Sequence, residues 1–397
     1  MTLRDIFRQH LAQTSPEPLE LEIRAAEGLY LEDSNGKKYL DLISGIGPSI
    51  LGHGNPEILS AIEAQSKKHL HVMVYGELVI EPQAKLAQKL CEFLPSSLNS
   101  VYFVNSGSEA IEAAIKISRK KTGKEKLISF SNAYHGSTTG SLALCGNEGL
   151  KSGYGPFFPW VSILPFGDTE PLKKIGKDVA AVFIEPIQGE AGVRVPDKAY
   201  IKELATRCKE QDALLVFDEI QTAPGRTGKL FCFEHYDVIP DMICLSKGIG
   251  GGLPLGALIT SRDIMQVIQK NPALGHITTY GGNPLSCAVG LAVMEQITRD
   301  GLSFLKKVEE LGKIIRAEIN HPRIIEIRGK GLMYALEFGE EEFCRKIVQA
   351  LIEKGYLTDW FLFCPTAMRL SPPLTITEDE IRNFARDLNE ALNRISG

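Results

Sequence analysis

The sequence predicts an α/β protein: a large domain on a mainly parallel central sheet, and a smaller α+β domain assembled from the two chain ends. Three observations carry this. Short apolar runs alternate with helical stretches through the middle of the chain. Several of those runs, 179–185 and 214–218 among them, are apolar without alternation, as strands covered on both faces are. Towards both ends the pattern changes to hairpin-like and amphipathic segments.

The elements follow in order. Gly28-Leu29-Tyr30-Leu31 and Lys38-Tyr39-Leu40-Asp41-Leu42 flank a turn at Asn35-Gly36 and read as a hairpin. Strands are expected at 101–105, 126–130, 160–164, 179–185, 214–218, 242–246 and 255–260, with helices at 109–121 and 198–211 between them. From about residue 285 the chain is helical, then has short strands near 324–327 and 333–338, and closes in a helix. Thr377 and Glu380 form a capping box for that helix, and Ile381, Phe384, Leu388, Leu392 and Ile395 line one of its faces. Residues 1–50 are therefore assigned to the small domain, 51–290 to the large one and 291–397 to the small one again.

Composition excludes several classes. Of 397 residues, 44% are hydrophobic and 23% charged, an ordinary globular balance rather than a disordered one. Lys and Arg number 44 against 49 Asp and Glu, so no domain-scale basic excess marks a nucleic-acid binder. The apolar runs are too short to cross a bilayer. The opening MTLRDIFRQH scatters its charges and has no apolar stretch, so it is not a secretory signal, and the cytoplasm is the expected location. Eight cysteines occur without a CxxC pair and read as reduced, buried small hydrophobes. His69 and His71 lack further ligands nearby, so no metal is expected.

Three local features carry chemistry. The strand at 101–105 runs into Ser106-Gly107-Ser108 at a helix start, a turn whose free N–H groups suit an anion as well as they suit a plain cap. No GxxxxGK[ST] occurs, and Gly248-Ile249-Gly250-Gly251-Gly252 lacks the spacing of a dinucleotide fingerprint, which argues against a nicotinamide dehydrogenase. Asp218 ends an apolar strand, where open α/β sheets bind ligands, and Asp218 and Glu219 point to opposite faces. Lys247 ends another strand beside the glycine run, where it can be desolvated and made nucleophilic. Taken singly, each has a bland reading as cap, strand end or surface charge. Together, an anion cradle, a carboxylate and a lysine are what pyridoxal phosphate requires.

Over nearly its whole length the chain resembles the class-III pyridoxal-phosphate-dependent aminotransferases of acetylornithine, ornithine and ω-amino acid type, which have fold-type I. The resemblance rests on Asn105-Ser106-Gly107-Ser108-Glu109-Ala110, Tyr134-His135-Gly136, Glu185-Pro186-Ile187-Gln188-Gly189-Glu190, Asp218-Glu219-Ile220-Gln221, Ser246-Lys247-Gly248, Thr278-Thr279-Tyr280-Gly281-Gly282-Asn283-Pro284 and Arg369-Leu370-Ser371-Pro372-Pro373. It implies that Lys247 forms the Schiff base and shuttles the proton, and that Asp218 pairs with the pyridine nitrogen. It implies Gln221 at the ring hydroxyl, with Ile220 and Tyr134 on the two ring faces. Ser106, Gly107 and Ser108 are implied to hold the phosphate. Thr279, with Thr278 beside it, completes that cradle from the partner of a homodimer. His135 belongs to the same cofactor-binding set, although alone it reads as a buried structural histidine. Arg369 is implied as the carboxylate-binding arginine and Glu190 as the acid that covers and releases it.

The chain departs from the pattern at two places. Ser137 stands where members acting on acetylornithine, ornithine or 4-aminobutyrate carry an arginine, and Gly47-Pro48-Ser49-Ile50 replaces the usual Ala-Val-Asn-Asn. The expected reaction is transfer of an amino group, from an amino acid or ω-amine donor of acetylornithine type, to a 2-keto acid by a ping-pong mechanism. An aminomutase, racemase or phospho-lyase would keep the fold and cofactor but need no keto acid.

Overall fold

The computed structural model describes residues 1–396. Three sheets organise it. β1 (Ile23–Glu27), β2 (Tyr30–Asp33) and β3 (Lys38–Asp41) open the chain. The central sheet takes β4 (Ser100–Val104), β5 (Lys126–Phe130), β6 (Val161–Leu164), β7 (Val179–Ile184), β8 (Leu214–Asp218), β9 (Met242–Leu245) and β10 (Gly256–Thr260) in the order β4-β10-β9-β8-β7-β5-β6. Strands β9, β8, β7, β5 and β6 run parallel, and β10 alone is antiparallel to both its neighbours. β11 (Glu326–Lys330), β12 (Met333–Glu337), β14 (Trp360–Phe361) and β15 (Cys364–Leu370) form a third, antiparallel sheet. The short β13 (Tyr356–Leu357) pairs in parallel with β3, so the two ends of the chain share one sheet.

The seven central strands lie within one or two residues of the expected positions. β7, β8, β9 and β10 are buried almost throughout, which explains their unbroken apolar runs. Helix Gly107–Thr122 starts two residues earlier than expected and stops at Gly123, whose φ of 70° supplies a left-handed cap. Ser106 caps it by accepting from Glu109 N–H at 3.2 Å, while the Glu109 carboxylate reaches back to Asn105 N–H at 2.7 Å rather than to Ser106. The final helix, Glu378–Ser396, opens on the expected box, with Thr377 N–H donating to Glu380 at 2.9 Å. Its Ile381, Phe384, Leu388 and Leu392 are buried. Among the described residues no helix is long and apolar enough to cross a membrane. All eight cysteines are free thiols, and seven are buried.

Four strands escape the sequence reading: β1, β13, β14 and β15. β1 is exposed along its whole length, so burial leaves no trace in its sequence. β15 contains Pro365 and the cation Arg369, and its pairing with β12 makes it a strand.

One buried side chain gathers these parts. Arg226 extends from the large body and donates to the carbonyls of Pro372 and Leu332 and to Ser44 Oγ. Ser44 in turn donates to Ser371 O at 2.8 Å. Three separate segments thus end on one guanidinium. Replacing Arg226 by Leu strands three buried acceptors and should lower the unfolding free energy by about 3 kcal/mol. Urea denaturation followed by circular dichroism measures this, and a loss below about 0.5 kcal/mol would show that the clasp carries no weight.

Candidate active site

The parallel strands deliver their C-terminal ends to one edge of the sheet, and the candidate residues sit there. β4 leads into Asn105–Ser108, β5 into the turn with Tyr134 and His135, β7 into Glu185–Glu190, β8 into Asp218–Gln221 and β9 into Lys247. This is the edge at which open α/β sheets bind ligands.

Asp218 and Glu219 diverge as the pleat requires. Asp218 Oδ2 meets His135 Nδ1 at 2.7 Å and Oδ1 accepts from Ile220 N–H at 3.0 Å. A carboxylate can only accept, so His135 Nδ1 carries the proton, and Nε2 faces Ser129 Oγ at 3.2 Å. Glu219 turns the other way and accepts from Cys232 and Phe233 N–H at 2.5 and 2.9 Å, a structural role. Glu185 holds two pieces of the edge together: Tyr134 N–H and Gly189 N–H each donate to it at 2.9 Å. Burial pushes its carboxyl up to about 7, with His135 pulling against that push.

Lys247 lies two residues beyond β9, in a short 3₁₀ turn rather than at the strand tip itself. Its φ of 49° is left-handed, a backbone state that costs a non-glycine residue on the order of 1 kcal/mol and persists where neighbours enforce it. Its Nζ has no hydrogen-bond or ion-pair partner among the described residues. Burial pushes its ammonium down to about 8, opposed by Glu190 and reinforced by Arg369.

Lys247 shares one small cavity with Gln221, Arg226, Tyr334, Phe361 and Arg369. Arg369 grips Glu190 through both Nη atoms at 3.0 and 2.9 Å, and its Nε donates to Asp359 at 2.9 Å. Its guanidinium lies over the Phe361 ring at 4.6 Å. Burial would raise the Glu190 carboxyl, but Arg369 overrides it and holds it at about 2. Gln221 Nε2 also donates to Glu190 at 2.9 Å, so Gln221 links this ion pair to the end of β8.

The remaining candidates separate. Ser106 Oγ is engaged as the cap, and Ser108 Oγ accepts from Ser137 N–H at 3.3 Å. Ser137 is exposed, and its Oγ lies 3.2 Å from the Tyr134 hydroxyl. Thr278 Oγ1 accepts from Asn105 of its own chain at 2.8 Å, whereas Thr279 is exposed and meets none of the others. Arg226 and Asp359 were missed by the sequence reading. Arg226 left one trace, a cation between glycines and apolar residues, and Asp359 left none.

These residues suit pyridoxal phosphate. A Cβ on Gly107 would lie 2.6 Å from Ile220 Cδ1, so a larger residue at the helix start would push the Ile220 side chain out of its place beside the end of β8. The N–H groups of Gly107 and Ser108 have no acceptor within the helix and are free for a phosphate. Lys247 offers an amine that loses its proton readily.

The titration of Lys247 can be read from the protein freed of bound small molecules by amine labelling and mass spectrometry. It should titrate near 8, and Glu190→Gln should move it lower, because Glu190 holds the ammonium up. Titration at the ordinary 10.5 would contradict this site geometry.

Known proteins place the fold and the family. The family described as aminotransferase class-III matches residues 11–392. An acetylornithine aminotransferase of Methanopyrus kandleri is 37% identical, covering 99% of this chain and 98% of that protein. A putrescine aminotransferase of Pectobacterium atrosepticum is 35% identical over 95% of this chain and 83% of its own length. The crystal structure of an ornithine aminotransferase from Toxoplasma gondii, with pyridoxal phosphate at partial occupancy in its active site, superposes with a TM-score of 0.91 at 29% identity, over 99% of this chain and 94% of that one. With β10 reversed in an otherwise parallel sheet, and a smaller sheet-bearing part beside it, the architecture is that of a fold-type I transferase. The chain belongs to the class-III aminotransferase family, and is a pyridoxal-phosphate-dependent transaminase.

Proposed function

We propose that this enzyme moves an amino group from an amino acid or ω-amine donor, acetylornithine-like in character, to a 2-keto acid in two separate half-reactions of a ping-pong cycle. The observation that carries this is the Lys247 amine, pushed down to about 8, in one cavity with the Arg369 fork and its Glu190 cover. An amine that gives up its proton and a coverable carboxylate clamp suit one site that takes an amine end in one half-reaction and an α-carboxylate in the other. The acetylornithine, ornithine and putrescine enzymes among the relatives support donors of this class.

In this reading residues 51–290 form the cofactor-binding domain, while 1–50 and 291–397 form the smaller one. Pyridoxal phosphate, when bound, supplies an aldehyde that captures amines and a ring that draws electrons from the breaking bond. Gly107 and Ser108 N–H, with the Ser106 and Ser108 hydroxyls, hold its phosphate. Asp218, fixed by His135, would pair with the ring nitrogen and keep a proton there. Gln221 would take the ring hydroxyl, and Ile220 and Tyr134 would flank the ring. Lys247 Nζ would hold the cofactor and would carry the proton at the donor carbon. Glu190 neutralises Arg369 when no α-carboxylate is present and yields it when one arrives.

A homodimer completes the site in this proposal, with Thr279 of the partner subunit closing the phosphate cradle beside Thr278. An open groove lined by the exposed Leu78, Val79, Leu274 and Ile277 next to Thr278 supports that arrangement, since exposed apolar surface of this kind marks contacts between chains.

Absorption spectra before and after single donors test the reading. An ω-amine donor such as acetylornithine, 4-aminobutyrate or putrescine should bleach the lysine-bound cofactor band, and a keto acid should restore it. Lys247→Ala should lack that band and lose turnover by on the order of a thousandfold or more. Wild-type turnover in Lys247→Ala, or turnover that needs no keto acid, would overturn it.

A further inference from the structure

The turn that carries Glu190 is gripped twice from the same row of the C-terminal sheet. Register places Arg328 of β11 opposite Ala335 of β12, and Ala335 opposite Arg369 of β15. Residues paired directly across strands point to the same face, so the two arginines extend from one row with a fully buried alanine between them. Arg369 takes the carboxylate of Glu190. Arg328 Nε donates to the carbonyl of Gly192, two residues further along the same turn, at 2.7 Å. Arg328 is itself held by Glu326 at 2.7 Å and Glu337 at 2.8 Å.

The rest of the turn is equally fixed through its backbone. Glu185 accepts from Gly189 N–H at 2.9 Å, and Phe363 N–H donates to Glu190 O at 3.0 Å. Gly192 has a φ of 82°, and a Cβ there would lie 2.8 Å from Cys364 Sγ and 2.9 Å from Arg328 Nη2. The Glu190 carboxylate is held separately, by Arg369, by Gln221 and, at 3.3 Å, by Leu362 N–H.

We infer that Arg328 is a positioning residue for substrate selection: it sets the height of the Glu190 turn above Arg369, and so decides how readily Glu190 yields the clamp to a carboxylate. The inference rests on the proposed exchange of Glu190 for a substrate carboxylate. A turn freed from Arg328 covers Arg369 less well. The clamp is then more open to an incoming α-carboxylate and less neutral towards a donor that brings an amine end instead.

Arg328→Lys keeps the charge between Glu326 and Glu337 but loses the bond to Gly192 O. With the two half-reactions measured separately on the holoenzyme, KM for a dicarboxylate 2-keto acid should fall and KM for an ω-amine donor rise, each about fivefold, with kcat nearly unchanged. Gly192→Ala, whose Cβ would press on Cys364 and on the Arg328 guanidinium and so push the turn off the same contact, should shift both constants in the same two directions. A merely structural role would move both KM values the same way or lower kcat in both halves. Glu190→Gln is the reference. If it shows the opposed shifts and neither other variant does, Arg328 has no positioning role. If Glu190→Gln shows no opposed shifts, the proposed exchange itself fails.

Discussion

A guanidinium buried without a carboxylate to neutralise it is the constraint on which the rest of the molecule turns. Arg226 is 2% exposed and lines the cavity shared by Lys247 and Arg369. Burial pushes its proton affinity down to about 10, with Asp41 opposing from a distance, yet it remains a cation at neutral pH. Such a charge is tolerable only where oriented dipoles surround it. Those dipoles come from Leu332, Pro372 and Ser44, which belong to three segments far apart in the chain. The same segments roof the site: Gly47 lies beside the Lys247 side chain, and Arg369 lies three residues before Pro372. Charge burial, rather than apolar contact alone, therefore dictates where the chain ends lie over the sheet.

The sheet edge solves a second electrostatic problem. Glu185, Glu190 and Asp218 crowd the ends of two adjacent strands. Each is given a different counterpart: backbone N–H groups for Glu185, Arg369 for Glu190 and His135 for Asp218. The separate partners hold the acids in distinct states, one raised to about 7 and one held near 2. Lys247 sits among them as a base whose proton is loosely held, because its burial outweighs the attraction of the acids.

Much of this was legible in the sequence, for physical reasons that differ from residue to residue. The central strands announced themselves because both faces are covered, and the opposed directions of Asp218 and Glu219 followed from the pleat. The terminal helix was readable because its cap and its apolar stripe are local. Lys247 was placed near a strand end correctly, but its left-handed turn was not foreseen, since neighbours enforce it against its own preference. β15 was missed because its pairing with β12, and no alternation of its own, makes it a strand. The pairing of Glu190 with Arg369 came through likeness to a family, since 179 positions separate them. Arg226 and Arg328 bond to carbonyls or acids, and Asp359 to Arg369, partners whose positions only the finished fold decides, so no local pattern encodes them.

The parallel pairing of β13 with β3 sets an order of events during synthesis. Leu40 cannot find Tyr356 until more than three hundred further residues have left the ribosome. The central sheet, complete by Thr260, can form well before that, because its contacts are closed earlier in the chain. A nascent chain therefore carries Lys247 and Asp218 before it has Arg369. The edge that bears the lysine is built first, and the strand that lays an arginine over it comes from the last part of the chain to emerge.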